Sequence, residues 1–268
     1  MFYNEILKKT LEKETNPVNK MYLHEINIKW QKILKAIENY KDSNKEIIDM
    51  FNIFRKAINE KKYKFNKLNA KGFTVESPIF SIDYINDLMS IIIKRQDIIN
   101  HAGIFWGCER FNIHYSFSPK SFNSLEKTLS FNQLSSPEVL FLGQKIDLQY
   151  RVLGKRNFEK YKSILPLIVF KMYKILRSEE MLYLDHIAEL SKNSFNGSKM
   201  IVIAEKLEKG FIPDIALTNI DYICVLTKEN EDKILFEVVN ELEKIICDII
   251  KKEYKVSTKL LNKGIITR

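Results

Sequence analysis

The chain is poor in the residues on which cofactor and metal chemistry depend. It has 8 glycines and 6 prolines in 268 residues, with no Walker loop, GxGxxG or GxSxG run. A fold that cradles a nucleotide cofactor in a Gly-rich turn is therefore not expected. Its 3 cysteines (Cys108, Cys224 and Cys247) are odd in number and lack CxxC spacing. They read as reduced, mostly buried small hydrophobes rather than a disulfide framework. His24, His114 and His186 have no His, Cys or carboxylate neighbour at zinc-ligand spacing, which argues against a transition-metal site. No apolar run approaches the roughly 18–20 residues of a membrane span. The opening MFYNEILKKTLEKE is charged from its start and lacks an apolar h-region, so a cytoplasmic protein without membrane attachment is expected.

What is present is an ordinary globular composition, 45% hydrophobic and 29% charged, with a basic excess. Lys and Arg number 43 against 34 Asp and Glu, for a net charge of +9. A basic balance without a membrane anchor favours a nucleic-acid partner.

Residues 1–72 read as a helical N-terminal region and 73–268 as a mixed α/β domain, with Gly72 at the boundary. Leu23, Ile26, Trp30, Ile33 and Ile37 recur at three- and four-residue steps, as do Ile47, Ile48, Phe51, Phe54 and Ile58. Each set makes one apolar stripe on a helix. Ile82–Ile93 also has helical spacing, whereas Phe111–Phe117 alternates as a strand does. Further on, Phe158–Arg177 is read as a helix kinked at Pro166, and Glu179–Ser191 as a second, shorter one. Met200–Ala204 is an unbroken apolar run suited to a buried central strand, Ile220–Leu226 is a second such strand, and Phe236–Lys252 is a closing amphipathic helix. The order predicts a mixed central sheet flanked by helices.

Ser136–Lys162 is the stretch with the most chemistry. Val139–Leu142 and Ile146–Val152 are strand-like, and Gly143-Gln144-Lys145 between them has turn composition, so a hairpin is expected. It would bring Glu138 near Asp147, with Gln149 on the same face as Asp147. Arg151, Lys155 and Arg156 follow as phosphate-binding candidates. Two carboxylates and an amide oxygen beside three cations suit a hard divalent cation held against a phosphate.

The order of elements, with Pro137-Glu138 and then Asp147-Leu148-Gln149, resembles the PD-(D/E)XK nuclease core of many type II restriction endonucleases. In that core an acidic residue opens one strand of a hairpin, and carboxylate-x-Lys sits on the next. A helix and two more strands follow, here Met200–Ala204 and Ile220–Leu226. Glu138 stands where Asp is usual and Gln149 where Lys is usual. The resemblance covers roughly residues 136–228. It implies a restriction-endonuclease-like fold and Mg²⁺-dependent hydrolysis of double-stranded DNA. Glu138 and Asp147 would be the metal ligands and Gln149 would orient the attacking water. It also implies a homodimer, or a heterodimer with a second subunit, because two strands must be cut.

Three other readings carry distinct expectations. Pro213-Asp214, Asp221 and Glu237 form a rival set of acids. Residues 182–237 resemble a winged helix of MarR-type regulators, with IVIAEKLEKGFI as recognition helix, which would bind DNA without cutting. Arg95 and His101 have the spacing of HEPN-type ribonucleases.

Overall fold

The structure is a computed structural model. It describes residues 2–39, 44–59, 67–68, 74–75, 83–94, 105–107, 111–117, 129–134, 139–151, 158–194, 197–228 and 233–263. The chain divides into two compact units, one of residues 1–95 with 226–243 and one of residues 96–225 with 244–268.

The first unit is built on helices α1 (Phe2–Lys13), α2 (Pro17–Asn39), α3 (Asn44–Asn59) and α4 (Asp83–Lys94). Asn16 starts α2: its Oδ1 accepts from the backbone N–H groups of Val18 and Asn19, at 2.9 and 3.3 Å. Pro17 follows at the first helical position, where a missing N–H costs nothing. The two predicted stripes are the core, with Leu23, Ile26, Trp30, Ile47, Phe51 and Phe54 all buried. Tyr3 sits edge-on to Trp30 at 4.9 Å between ring centroids, and Trp30 lies 5.1 Å from Phe54. Such aromatic pairs add about 0.5–1.5 kcal/mol each beyond their buried area. Polar pins cross this core: the Tyr3 N–H donates to Asp87 and the Arg55 Nε donates to the Tyr84 hydroxyl at 3.0 Å. Asn52 binds both backbone groups of Ile234, accepting from its N–H at 2.7 Å and donating to its carbonyl at 3.1 Å. A short antiparallel pair, β1 (Lys67–Leu68) with β2 (Thr74–Val75), belongs to the same unit.

The second unit carries a five-stranded sheet in the order β3-β6-β7-β8-β9. Its strands are β3 (Phe105–Gly107), β6 (Val139–Arg151), β7 (Phe158–Leu176), β8 (Lys199–Leu207) and β9 (Tyr222–Val225). β6 runs antiparallel to both β3 and β7, while β7, β8 and β9 are mutually parallel. Helix α5 (Met181–Ser194) supplies the crossover from β7 to β8. It packs Leu184, Ile187 and Ala188 against Val169, Met200, Val202 and Ala204. β4 (Phe111–Phe117) and β5 (Leu129–Leu134) form a separate antiparallel pair, and helix α6 (Phe236–Lys263) closes the chain. No described helix is long and apolar enough to cross a membrane.

Three expectations are corrected. Phe158–Arg177 is not a helix; Phe158–Leu176 is a single 19-residue strand. Ile168 to Met172 are all buried in succession, as a central strand covered on both faces requires and a one-sided helix does not provide. Pro166 kinks no helix. It lies opposite Gly143, where the β6–β7 register shifts, and bulges are among the few sheet positions that tolerate proline. Second, Gly143-Gln144-Lys145 forms no turn, because Val139–Arg151 is one unbroken 13-residue strand. Gly143 serves the bulge instead. Third, the winged-helix reading fails at its recognition helix: residues 199–207 are β8, paired on both sides, and Met200 to Ala204 are buried in the sheet.

Candidate active site

Among the sequence-derived site residues, Glu138, Lys155 and Arg156 lie outside the described residues, while Asp147, Gln149 and Arg151 sit on β6. In the backbone register with β7, Asp147 is paired with Lys162, Gln149 with Lys160 and Arg151 with Phe158. The expected hairpin would have placed Glu138 and Asp147 across from each other. Instead Val139 and Asp147 are eight residues apart along one strand. At about 3.3 Å per residue that separation is roughly 26 Å.

The opening of β6 meets other residues. Val139 pairs with Lys171 of β7, so this end of β6 lies beside the C-terminal half of β7. There the parallel strands β7 and β8 approach their carboxyl ends, the edge at which open α/β sheets bind ligands. Two charged side chains in this part of the sheet are buried, Lys171 at 3% exposure and Glu205 at 6%. Burying either charge is costly unless it is compensated. The Lys171 ammonium lies 5.5 Å from the ring centroid of Tyr183 on α5, a cation–π contact that holds it on the α5 side of the sheet. Glu205 and Lys174 occupy one level on adjacent strands, between the paired positions Tyr173–Ala204 and Ile175–Lys206. Strand alternation puts Glu205 on the face opposite Val202 and Ala204, away from the α5 core. Apolar residues, Val169 and Met172, precede Lys171 and Lys174 by two positions. The carboxylate nearest in the sheet to Lys174 is thus supplied by the neighbouring strand.

Sequence reading passed over Glu205, although a signal was available. A carboxylate placed directly behind the apolar run Met200–Ala204 continues a strand that neighbours cover on both sides, so it must be buried.

Two of the three rival acids, Asp221 and Asp214, have structural work. Asp221 accepts from the Lys199 Nζ and the Met200 N–H, both at 2.9 Å, and pairs with the Lys192 Nζ at 3.2 Å. Asp214 accepts from the N–H of Ala216, fixing a turn. Arg95 and His101 lie outside the described residues.

Glu205 is the one buried carboxylate described at this end of β8, and a carboxylate oxygen is the type of ligand that Mg²⁺ takes. Among the described residues, no three His, Cys, Asp or Glu side chains form a metal-binding group.

No family model matches the chain, and no curated protein matches it either. A solved structure does: a chain of the native BbvCI A2B2 tetramer is similar to it with a TM-score of 0.63 at 16% sequence identity, covering 94% of this chain and 96% of that one. BbvCI is a type II restriction endonuclease. The fold of the present chain is accordingly mixed α/β with a restriction-endonuclease-like core and a helical N-terminal region.

Proposed function

We propose that the chain is a Mg²⁺-dependent, sequence-specific endonuclease of double-stranded DNA, of the type II restriction class. It would act as a homodimer or with a second subunit. The observation that carries this reading is the likeness to BbvCI over nearly the whole chain, in a protein with a net charge of +9. BbvCI forms an A2B2 tetramer, which supports an assembly of more than one subunit here. Glu205, with Glu138 one residue before Val139, would hold the ion, and Lys174 would place positive charge beside the phosphate. Bound there, Mg²⁺ supplies Lewis-acid polarisation of the phosphoryl oxygens and a more acidic water. Burial of Glu205 keeps bulk water from competing for its oxygens. Arg151 on β6, with Lys155 and Arg156 after it, would contact DNA phosphates.

Supercoiled plasmids of mixed sequence incubated with the chain and Mg²⁺ test the proposal, with EDTA as control. Discrete linear fragments or nicked circles should form with Mg²⁺ and vanish with EDTA. Glu205→Gln should stop cutting while duplex binding persists. Asp147→Ala should still cut, because its strand position removes it from the ion. Binding without any nick would sink the enzyme reading, and undiminished cutting by Glu205→Gln would sink the site.

A further inference from the structure

The segment joining β8 to β9, residues 208–221, crosses the α5 side of the sheet without a helix of its own. Both its ends are fastened. At the first, the Glu208 N–H donates to the Leu176 carbonyl at 2.9 Å, the Glu208 carboxylate accepts from the Ser178 N–H, and Phe211 packs on the α5 core. Gly210, at φ +79°, makes the turn between them. At the second, Ile220 is buried in the same core, and Asp185 of α5 accepts from the N–H and the side-chain amide of Asn219. Between the anchors the backbone is held by its own bonds. Asp214 accepts from the Ala216 N–H at 2.9 Å, and the Ile215 carbonyl accepts from the Thr218 hydroxyl at 3.0 Å.

This fixed segment leaves apolar side chains in solvent. Ile212 is 87% and Leu217 90% exposed, and Leu182, in the first turn of α5 between the tethered residues Ser178 and Asp185, is 81% exposed. Among the described residues these are the three most exposed large apolar side chains, and Ile175, Tyr183 and Ile215 beside them are exposed to a lesser degree. A lone exposed leucine needs no explanation, but a rigid apolar patch marks an interaction surface. A stable interface takes about 500 Å² from each partner, somewhat over half of it apolar. Leu and Ile side chains present about 80 Å² each when fully exposed and a tyrosine about twice that, so the six supply roughly the 300 Å² required. The charge of this surface is also distinct. Residues 177–193 and 208–219 hold six carboxylates against Arg177, Lys192 and Lys209, a net −3 within a chain of +9.

We propose that a second copy of the chain docks on this surface, by a two-fold contact centred on Leu182, Ile212 and Leu217. The choice of occupant rests on the reading of the chain as an endonuclease of duplex DNA, since cutting two strands takes two copies of Glu205. A surface that grips phosphates is basic, so an acidic and apolar one does not face the DNA. Two bodies each carrying +9 repel, and the repulsion is least where they meet across their least positive surfaces. A two-fold contact sets each residue of one copy against a different residue of the other. The three cations of one copy therefore have carboxylates of its partner to meet, around an apolar centre.

Sedimentation velocity of the full chain without DNA, from about 1 to 100 μM, tests the proposal. The wild type should sediment as a dimer. Ile212→Glu/Leu217→Glu, which would bury four carboxylates in the contact, should raise the dissociation constant about 100-fold or more and sediment as a monomer at the low end of that range. Ile28→Glu/Ile53→Glu, at exposed apolar positions of α2 and α3, should dimerise as the wild type does. Far-UV circular dichroism checks that both variants fold. A wild type that is monomeric throughout, or that forms open-ended oligomers, overturns the proposal. So does an unchanged dimer in the Ile212/Leu217 variant, or an equal loss in the Ile28/Ile53 variant. Plasmid cutting is read separately. A dimer that depends on Ile212 and Leu217 but never cuts supports the surface and sinks the endonuclease reading, whereas a monomeric wild type that cuts overturns the surface alone.

Discussion

Asp221 separates a structural carboxylate from a catalytic one. Its side chain, only 14% exposed, ties the strand start at Lys199 and Met200 and the Lys192 end of α5 to the segment entering β9. Met200 also accepts from the Asp221 N–H at 3.1 Å, so the two residues exchange hydrogen bonds. Asp221→Ala removes the acceptor of the Met200 N–H, and leaving such a buried group unsatisfied costs about 1–3 kcal/mol. The pairs with Lys192 and Lys199 are partly exposed, at 28% and 37% for the lysine side chains. Solvent screening limits each to about 0.2–1 kcal/mol. The loss should therefore be about 2–4 kcal/mol, or roughly 4–8 °C in Tm for a chain of this size. Thermal unfolding followed by far-UV circular dichroism measures it, with plasmid cleavage assayed well below the transition. A Tm within a degree of wild type refutes the structural account. Abolished cleavage at unchanged stability would return Asp221 to the list of catalytic acids.

Asn52→Ala should lose about 1–3 kcal/mol, because its amide satisfies both the N–H and the carbonyl of Ile234; a urea midpoint equal to wild type would contradict this. Burial pushes the Cys224 thiol up from 9.0 to about 11. At pH 8 that lowers its thiolate fraction about 100-fold. Alkylation of native Cys224, which is half-buried, should therefore be slower than in urea, and equal rates would refute the raised thiol pKa. The sign of the linked stability follows: the unfolded thiol ionises first, so stability is intact below pH 9.0 and falls as pH rises toward about 11. Cys224→Ser should flatten that decline, and identical pH profiles for the two proteins would show that another group causes it.

The parts of this fold that could be read from sequence are those whose burial repeats at a local period. The stripes through Trp30 and Phe51 answer only to helix geometry, and both form the core. Met200–Ala204 announces a two-sided strand because five consecutive apolar residues suit no exposed face. β7 was illegible for the opposite reason. Four lysines and a proline interrupt its 19 residues, and what makes it a strand is its partner on each side. Pro166 looks like a break in any local window. Only the presence of Gly143 across the ladder shows it to be a bulge residue, and local propensity yields to such tertiary pairing.

The same misreading explains the anomalous residue at the centre of the expected site. Gly143-Gln144-Lys145 has the composition of a turn, and a turn there would have put Asp147 and Gln149 on the strand where the resembled nucleases carry carboxylate-x-Lys. With β6 unbroken, the strand following the acidic opening is β7, and lysines occur at its far end, at Lys171 and Lys174. Gln149 then need not do the work of a lysine. It is paired with Lys160 of β7 in the strand register. Position 149 therefore stands on the first of these two strands and not beyond a turn on a second one.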